Sequence, residues 1–227
     1  MGERPIERPQ HTSGIASRVA VDRLTFDRIK QRHGPYASWA VWGEATAGPK
    51  SNVGDLTVMD PDRNPALLST LRNDVVMLGL NLSRGFPAAF GNFHDPTSRG
   101  QDYKIRFAFA GTPYHGAYMT DLIKEVVMLK SGDLVRYLAA NNGVLVKNVE
   151  RLLEEFDDLK GPSPTLITFG AHAYAIAAKH VPPSRYSRLV RVTHYSHYIS
   201  KEVYRERVLA ELTCIRERGS DLSPAAK

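Results

Sequence analysis

The sequence contains only one cysteine, Cys214, and no long apolar run. A single thiol excludes an internal disulfide, a four-cysteine iron–sulfur site and a multi-cysteine zinc site. This cysteine usage fits a reducing compartment, so we expect a cytoplasmic protein. No segment approaches the roughly 20 apolar residues that span a bilayer, and the first residues show no secretory signal. We therefore expect no membrane contact.

Several motifs of other enzyme classes are also missing. The histidines never show the His-x-x-x-His or His-Glu-x-x-His spacing of many metal sites. Gly-x-Ser-x-Gly and Walker A patterns are absent, which counts against an α/β-hydrolase or a P-loop nucleotidase. The sequence thus predicts a site that uses neither a metal nor a cofactor.

The charge balance of the chain is basic. The 227 residues carry a net charge of +6, and 42% of them are hydrophobic, enough for a sizeable core. Positive charge favours a polyanionic partner, because basic side chains displace the counterions condensed on phosphates. Residues 1–20 are polar and aperiodic, which predicts a flexible arm ahead of a single domain at 21–227. We expect a monomer.

Short apolar runs alternate with segments of helical spacing. The runs that we interpret as strands are 75–80, 116–123, 165–170 and 189–193, and residues 38–43 are also β-prone. Helical spacing is found at 21–32, 66–72, 133–140, 144–156, 173–180 and 200–218. Such alternation predicts an α/β fold, a three-layer α/β/α sandwich around a four-stranded, mainly parallel sheet.

Two polar signatures follow the first and the last of these strands. Residues 79–85 have the sequence GLNLSRG, and residues 193–197 have the sequence THYSH. In an open parallel sheet, residues just past the carboxyl ends of strands meet at one crevice. Asn81 and His194 are therefore predicted to face the same ligand, which favours an enzyme.

The order of these segments resembles that of the uracil-DNA glycosylase superfamily, as a divergent branch. The chain has Gly-x-Asn at Asn81 and His-x-Ser at His194, but it lacks the proline of both family signatures. The match covers roughly residues 75–212. It implies a monofunctional DNA glycosylase that flips uracil or a related damaged base out of DNA and hydrolyses its N-glycosidic bond.

The resemblance also implies catalytic roles. His194 would donate a hydrogen bond to the departing base, whose negative charge develops in the transition state. Asn81 would orient the attacking water. Each residue also has a structural alternative, because His194 could pack or cap at a strand end and Asn81 could be a turn residue.

Base-binding residues are implied by the same resemblance. Leu80 lies in the first signature, and Phe93 or Phe90, in the long loop at 83–102, would stack on the extruded base. Either ring could instead belong to loop packing. Asp121 falls where the family has an asparagine that binds the base edge. An aspartate at this position could still bind a base if it is protonated, if a neighbouring group donates to the base, or if the base is not uracil. Alternatively, Asp121 could have a purely structural role, as an ion-pair partner of Lys124 or as a helix cap.

The segment after His194 is implied to contact DNA. Tyr198 or Ile199 would wedge into the helix that the base has left. Contacts with the DNA backbone are expected from Ser83, Arg84, Ser196, His197 and Lys201. Alternatively, the segment after His194 could simply be the N-terminus of a helix capped by Ser200, with no role in DNA binding.

Two other functions stay open at this point. The chain could be a nucleic-acid-binding protein that kept the fold and lost catalysis. It could also be an enzyme that processes nucleosides or nucleotides, in which case its affinity would depend little on salt.

Overall fold

A computed structural model describes residues 20–82, 85 and 88–219. Its strands are β1 (Ser38–Trp39), β2 (Arg72–Asn81), β3 (Ala117–Ile123), β4 (Thr165–Phe169) and β5 (Arg188–Val192). Its α-helices are α1 (Arg23–His33), α2 (Leu67–Thr70), α3 (Asp102–Phe109), α4 (Ser131–Ala140), α5 (Asn142–Leu159), α6 (Ala171–His180) and α7 (Lys201–Gly219). Short 3₁₀ helices lie at Leu56–Met59 and Pro183–Arg185.

The protein has an α/β fold built on one mostly parallel sheet. The strand order is β1-β3-β2-β4-β5, and only β1, which pairs with β3, runs antiparallel. The predicted count of four strands is therefore one too low. The β-prone segment at 38–43 contributes a two-residue edge strand, whose formation depends on pairing with distant residues of β3.

Helices cover both faces of the sheet because the strands are apolar on both sides. Along β2, Val76 and Leu78 belong to one hydrophobic cluster, which includes residues of α1, α4, α5 and α6. Val75 and Met77 belong to a second cluster, which includes residues of α3 and α7. A strand buried on both faces has a continuous apolar sequence, which explains why β2 could be identified without alternation.

The path of the chain creates a crevice at one edge of the sheet. From β2 the chain moves through α3 to β3, whereas from β4 it moves through α6 to β5 on the other side. The direction reverses between β2 and β4, which are neighbours. Open α/β sheets bind ligands at such a point, beyond the carboxyl ends of the strands.

No helix in the described part of the chain is both long and apolar enough to cross a bilayer. All but the last residue of the predicted arm at 1–20 lies outside the described residues, as do Ser83 and Arg84.

Candidate functional site

A cavity of about 490 Å³ lies at the carboxyl ends of the parallel strands. This volume is within the range of roughly 300–1,000 Å³ that is usual for sites of small ligands. Its lining includes residues 79–81, 92–93, 121, 170–173 and 194–197. The two polar signatures of the sequence therefore meet at one cavity.

Asn81 ends β2 with its amide held in one orientation. Its Nδ2 lies 3.0 Å from the carbonyl oxygen of Leu82, 3.2 Å from that of Val126 and 2.9 Å from that of Met128. Three carbonyl oxygens around one atom identify that atom as the nitrogen donor. Within the described residues no group donates to Oδ1, so this oxygen is available to accept a hydrogen bond from a ligand or a water.

His194 follows β5, and its proton can be placed from its contacts. The backbone N–H of Ser196 donates to Nδ1 over 3.1 Å, so a neutral imidazole has its proton on Nε2. Burial lowers the pKa of His194 to about 4, and nearby His197 acts in the same direction. The ring stacks on Tyr195 with 4.4 Å between centroids. At neutral pH His194 is therefore an uncharged donor through Nε2.

Asp121 lies in β3 and is 3% exposed. Its Oδ2 accepts a hydrogen bond of 2.8 Å from Nδ2 of Asn92. Burial raises the pKa of this carboxyl to about 7, although the Asn92 hydrogen bond and the charge of Lys124 oppose that rise. The Lys124 ammonium pairs with Glu155 at 2.6 Å instead of with Asp121. Asp121 also lies within a strand, so neither structural alternative for this residue describes its contacts.

Gly79 allows Asp121 to approach the first strand. The two residues are partners in the register of β2 and β3. A Cβ atom at position 79 would lie 2.0 Å from Oδ1 of Asp121 and 3.2 Å from Cζ of Phe93. Glycine at this position is therefore required for the carboxyl and the ring to border the cavity together.

The two loop phenylalanines, Phe90 and Phe93, lie in different parts of the structure. Phe93 borders the cavity, and its ring centroid lies 6.4 Å from the rings of Phe169 and Tyr195. Phe90 packs instead against Phe26 at 5.5 Å, in the cluster on the α1 side of the sheet. The structure thus does not bring Phe90 to the cavity, because its ring serves as core. Leu80 borders the cavity, but its side chain is also part of that cluster.

The backbone of residues 194–197 is fixed by hydrogen bonds within the segment and to α3. The N–H of His197 donates to the carbonyl oxygen of His194 over 3.1 Å. The carbonyl oxygen of His197 accepts a hydrogen bond of 2.8 Å from Nζ of Lys104, in α3. Both His197 and Ser196 border the cavity. Lys104 therefore supports the candidate DNA-contacting segment from the neighbouring helix.

The two candidate wedge residues also differ. Tyr198 is fully exposed, whereas Ile199 packs against the cluster on the α7 side. The ammonium of Lys201 lies 4.3 Å from the centre of the Phe107 ring and pairs with Glu202. The hydroxyl oxygen of Ser200 accepts a hydrogen bond of 3.2 Å from the N–H of Val203, so Ser200 caps the N-terminus of α7 as predicted. Of the two candidate wedge residues, Tyr198 is therefore the one whose side chain is exposed enough to insert into a DNA helix.

Sequence reasoning did not identify Asn92, Lys104 or Tyr195 as site residues. Asn92 bonds to groups 29 and 56 positions away, and Lys104 to one 93 positions away. No spacing rule links residues at such separations. Only Tyr195 carried a local signal, because it stands between His194 and Ser196, where the resemblance described above expects a proline.

Within the described ranges, no group of three or more histidine, cysteine or carboxylate side chains could hold a metal ion. Comparisons with protein-family models, with curated proteins and with solved structures found no match to this chain. The geometry of the site therefore carries the functional argument.

Proposed function

We propose that the chain is a monofunctional DNA glycosylase of the uracil-DNA glycosylase superfamily that excises uracil or a related damaged base. One observation carries this proposal: His194, with an uncharged Nε2–H donor, and Asn81, whose Oδ1 accepts from no group among the described residues, border the same cavity. Helices on both faces of the sheet fit the three-layer sandwich that the alternation of strands and helices predicts.

The proposed reaction is hydrolysis of the bond between C1′ and the base. The bond breaks with its electron pair on the base, so negative charge grows on a base oxygen. The Nε2–H of His194 stabilises that charge more in the transition state than in the substrate. A water held by Oδ1 of Asn81 bonds to C1′ and loses a proton to solvent, and the base takes up one proton.

Binding to DNA requires that the base leave the helix. Tyr198, fully exposed beyond His194, would fill the space that the base vacates. Ser196, His197 and Lys201 lie within three positions of Tyr198 in the sequence and would contact phosphates, together with Ser83 and Arg84, which lie outside the described residues. The net charge of +6 supports a polyanionic partner. A monomer in the cytoplasm is part of the same proposal.

The test is incubation with single- and double-stranded oligonucleotides that contain uracil, followed by alkali to cleave abasic sites. We expect excision by the unaltered protein and a loss of about 100-fold to 1,000-fold in rate for His194→Ala. DNA affinity should persist. His180→Ala, at the far end of α6, serves as the matched histidine control and should excise normally.

Three outcomes would contradict the proposal. Absence of abasic sites with every substrate, despite salt-sensitive DNA binding, would indicate a binding protein without catalysis. Weak, salt-insensitive affinity for DNA would indicate a small-molecule enzyme. An equal rate for His194→Ala and His180→Ala would remove His194 from the mechanism.

A further inference from the structure

The outward side of α3 carries two aromatic rings and an arginine. Tyr103, Arg106 and Phe107 are the partly exposed residues of this helix. Spacings of three and four residues place them on one stripe, which we call the α3 face. In the described part of the chain, Phe107 packs against neither hydrophobic cluster, so the core does not account for its ring.

The cations along this face bind carbonyl oxygens and have no counter-charge. Arg106 donates to three carbonyl oxygens of residues 43–51. Arg205 of α7 donates to carbonyl oxygens at the end of α3, and Nζ of Lys50 donates to that of Ser98 over 2.5 Å. Within the described ranges, no carboxylate pairs with any of these three cations. Because a carbonyl is neutral, positive charge accumulates along α3.

Both rings of the face lie beneath lysine ammonium groups. Nζ of Lys50 is 5.2 Å from the centre of the Tyr103 ring, and Nζ of Lys201 is 4.3 Å from that of Phe107. Near the surface such a contact is weaker than the stacking of a nucleobase on an aromatic ring. A base can therefore replace each ammonium on its ring, and the flexible lysine stem lets the ammonium reach a neighbouring phosphate.

The α3 face is continuous with the cavity. Gln101 and Asp102, at the start of α3, border the cavity, and Tyr103 follows them directly. Tyr103 and Phe107 are four residues apart, which is about 6 Å along the helix axis. Successive bases of a duplex are only about 3.4 Å apart along each strand. The spacing of the two rings therefore suits an extended, unpaired strand.

We propose, on the basis of the proposed function, that the α3 face binds unpaired nucleotides on one side of the flipped base. Their bases stack on Tyr103 and Phe107, and Lys50 and Lys201 contact the phosphates. Arg106, held by its carbonyl partners, adds positive charge from a fixed position. The partner of this surface is therefore single-stranded DNA.

Fluorescence anisotropy with a labelled, uracil-free oligothymidylate of about 16 residues tests this surface independently of excision. The unaltered protein should bind this strand more tightly than a duplex of the same length. Phe107→Ala and Tyr103→Ala should each lower the affinity by about 5-fold to 100-fold. Phe107→Trp keeps a stacking surface and should bind normally. Tyr137→Ala is the matched control, because this partly exposed tyrosine of α4 packs against the cluster on the opposite side of the sheet.

Lys50→Gln tests the contact with a phosphate. Loss of one such contact should reduce the slope of log affinity against log salt by about 0.7 for a single strand. Lys147→Gln is the control, since this exposed lysine pairs with Glu125 at 3.3 Å. Polyglutamate should bind much more weakly than oligothymidylate, because it offers charge without bases. Equal affinity for the two polymers would mean that charge alone acts here and would overturn the proposal.

Excision assays relate the α3 face to the cavity. With single-stranded substrates that extend on only one side of the uracil, the rate should depend on which side is extended, and Phe107→Ala should remove that dependence. Thermal unfolding of each variant is measured in parallel, and Tyr103→Ala gives an independent result if Phe107→Ala does not fold.

The two proposals fail in different ways. Single-strand binding that requires both rings, without any excision, would overturn the enzyme and support the surface. Excision together with normal single-strand affinity in Tyr103→Ala and Phe107→Ala would overturn the surface and leave the enzyme. No excision, with equal affinity for single strand and duplex, would overturn both.

Discussion

Burial acts in opposite directions on the two titratable residues of the cavity. It lowers the pKa of His194 to about 4 and raises that of Asp121 to about 7, because in both cases it disfavours the charged form. Between these two values both side chains are mostly neutral. Under the proposed function the cavity then presents two uncharged side chains, those of His194 and Asp121, to a base.

Gly79→Ala tests the close approach between β2 and β3. The added methyl would lie 2.0 Å from Oδ1 of Asp121, so the carboxyl or the strand must move. We expect a destabilisation of at least about 2 kcal/mol in urea unfolding. Gly132→Ala in α4 is the control, since its Cβ would meet no atom within 4 Å. Equal free energies of unfolding for the two variants would contradict the packing described here.

The predictable part of the site consists of residues next to apolar strands. Asn81 and His194 follow β2 and β5, so the rule that strand ends converge was sufficient to bring them together. The sequence favoured Phe93 over Phe90 only slightly, because the two rings lie three positions apart in the same loop. Their separation depends on the packing of Phe90 against Phe26, which no local pattern contains.

At the scale of elements, the strands and most of the helices were predicted about equally closely, and α3 is the helix that was missed. Strands β2, β4 and β5 are apolar runs bounded by turn residues, and their positions were predicted to within a few residues. Helix α3 was not predicted: it has eight residues and no side-chain cap at its N-terminus. Arg205 of α7 instead binds the carbonyl oxygens at its end, including those of Phe107 and Ala108.

The contact between α5 and β3 contains a buried ion pair that can be tested. Lys124 and Glu155 lie 2.6 Å apart with side chains 1% and 0% exposed, and the Tyr118 hydroxyl also donates to Glu155. Glu155→Gln leaves a buried ammonium without its counter-charge. We expect a loss of about 3–5 kcal/mol in the free energy of unfolding, measured with urea.

Glu154→Gln is the matched control for that experiment. Its side chain is 59% exposed and lies 3.7 Å from Arg32. An exposed pair of this kind contributes roughly 0–1 kcal/mol. A loss of similar size in both variants would show that the Lys124–Glu155 pair does not stabilise the packing of α5 on the sheet.

At the scale of the whole molecule, Asp121 makes stability depend on pH. Its pKa rises from an ordinary value of 3.8 to about 7 on folding, so the folded state binds this proton more tightly. Its contribution to stability is therefore full below pH 3.8 and is lost as pH rises toward 7. The loss is on the order of 4 kcal/mol.

Urea unfolding of the unaltered protein and of Asp121→Asn at about pH 4 and pH 8 would measure this contribution. The variant should gain stability relative to the unaltered protein as the pH rises. A difference that does not change with pH would mean that Asp121 ionises normally in the folded state.

One further consequence concerns how a ligand enters. The amide nitrogen that orients Asn81 is bound to the carbonyls of Val126 and Met128, and adjacent Leu129 is 87% exposed beside the cavity. A ligand that pushes this segment outward must also rotate the amide and displace its oxygen. Under the proposed function, a nucleotide that binds in the wrong position would therefore move Oδ1 of Asn81 and with it the attacking water. Undamaged DNA would then be cleaved slowly without any additional closing element.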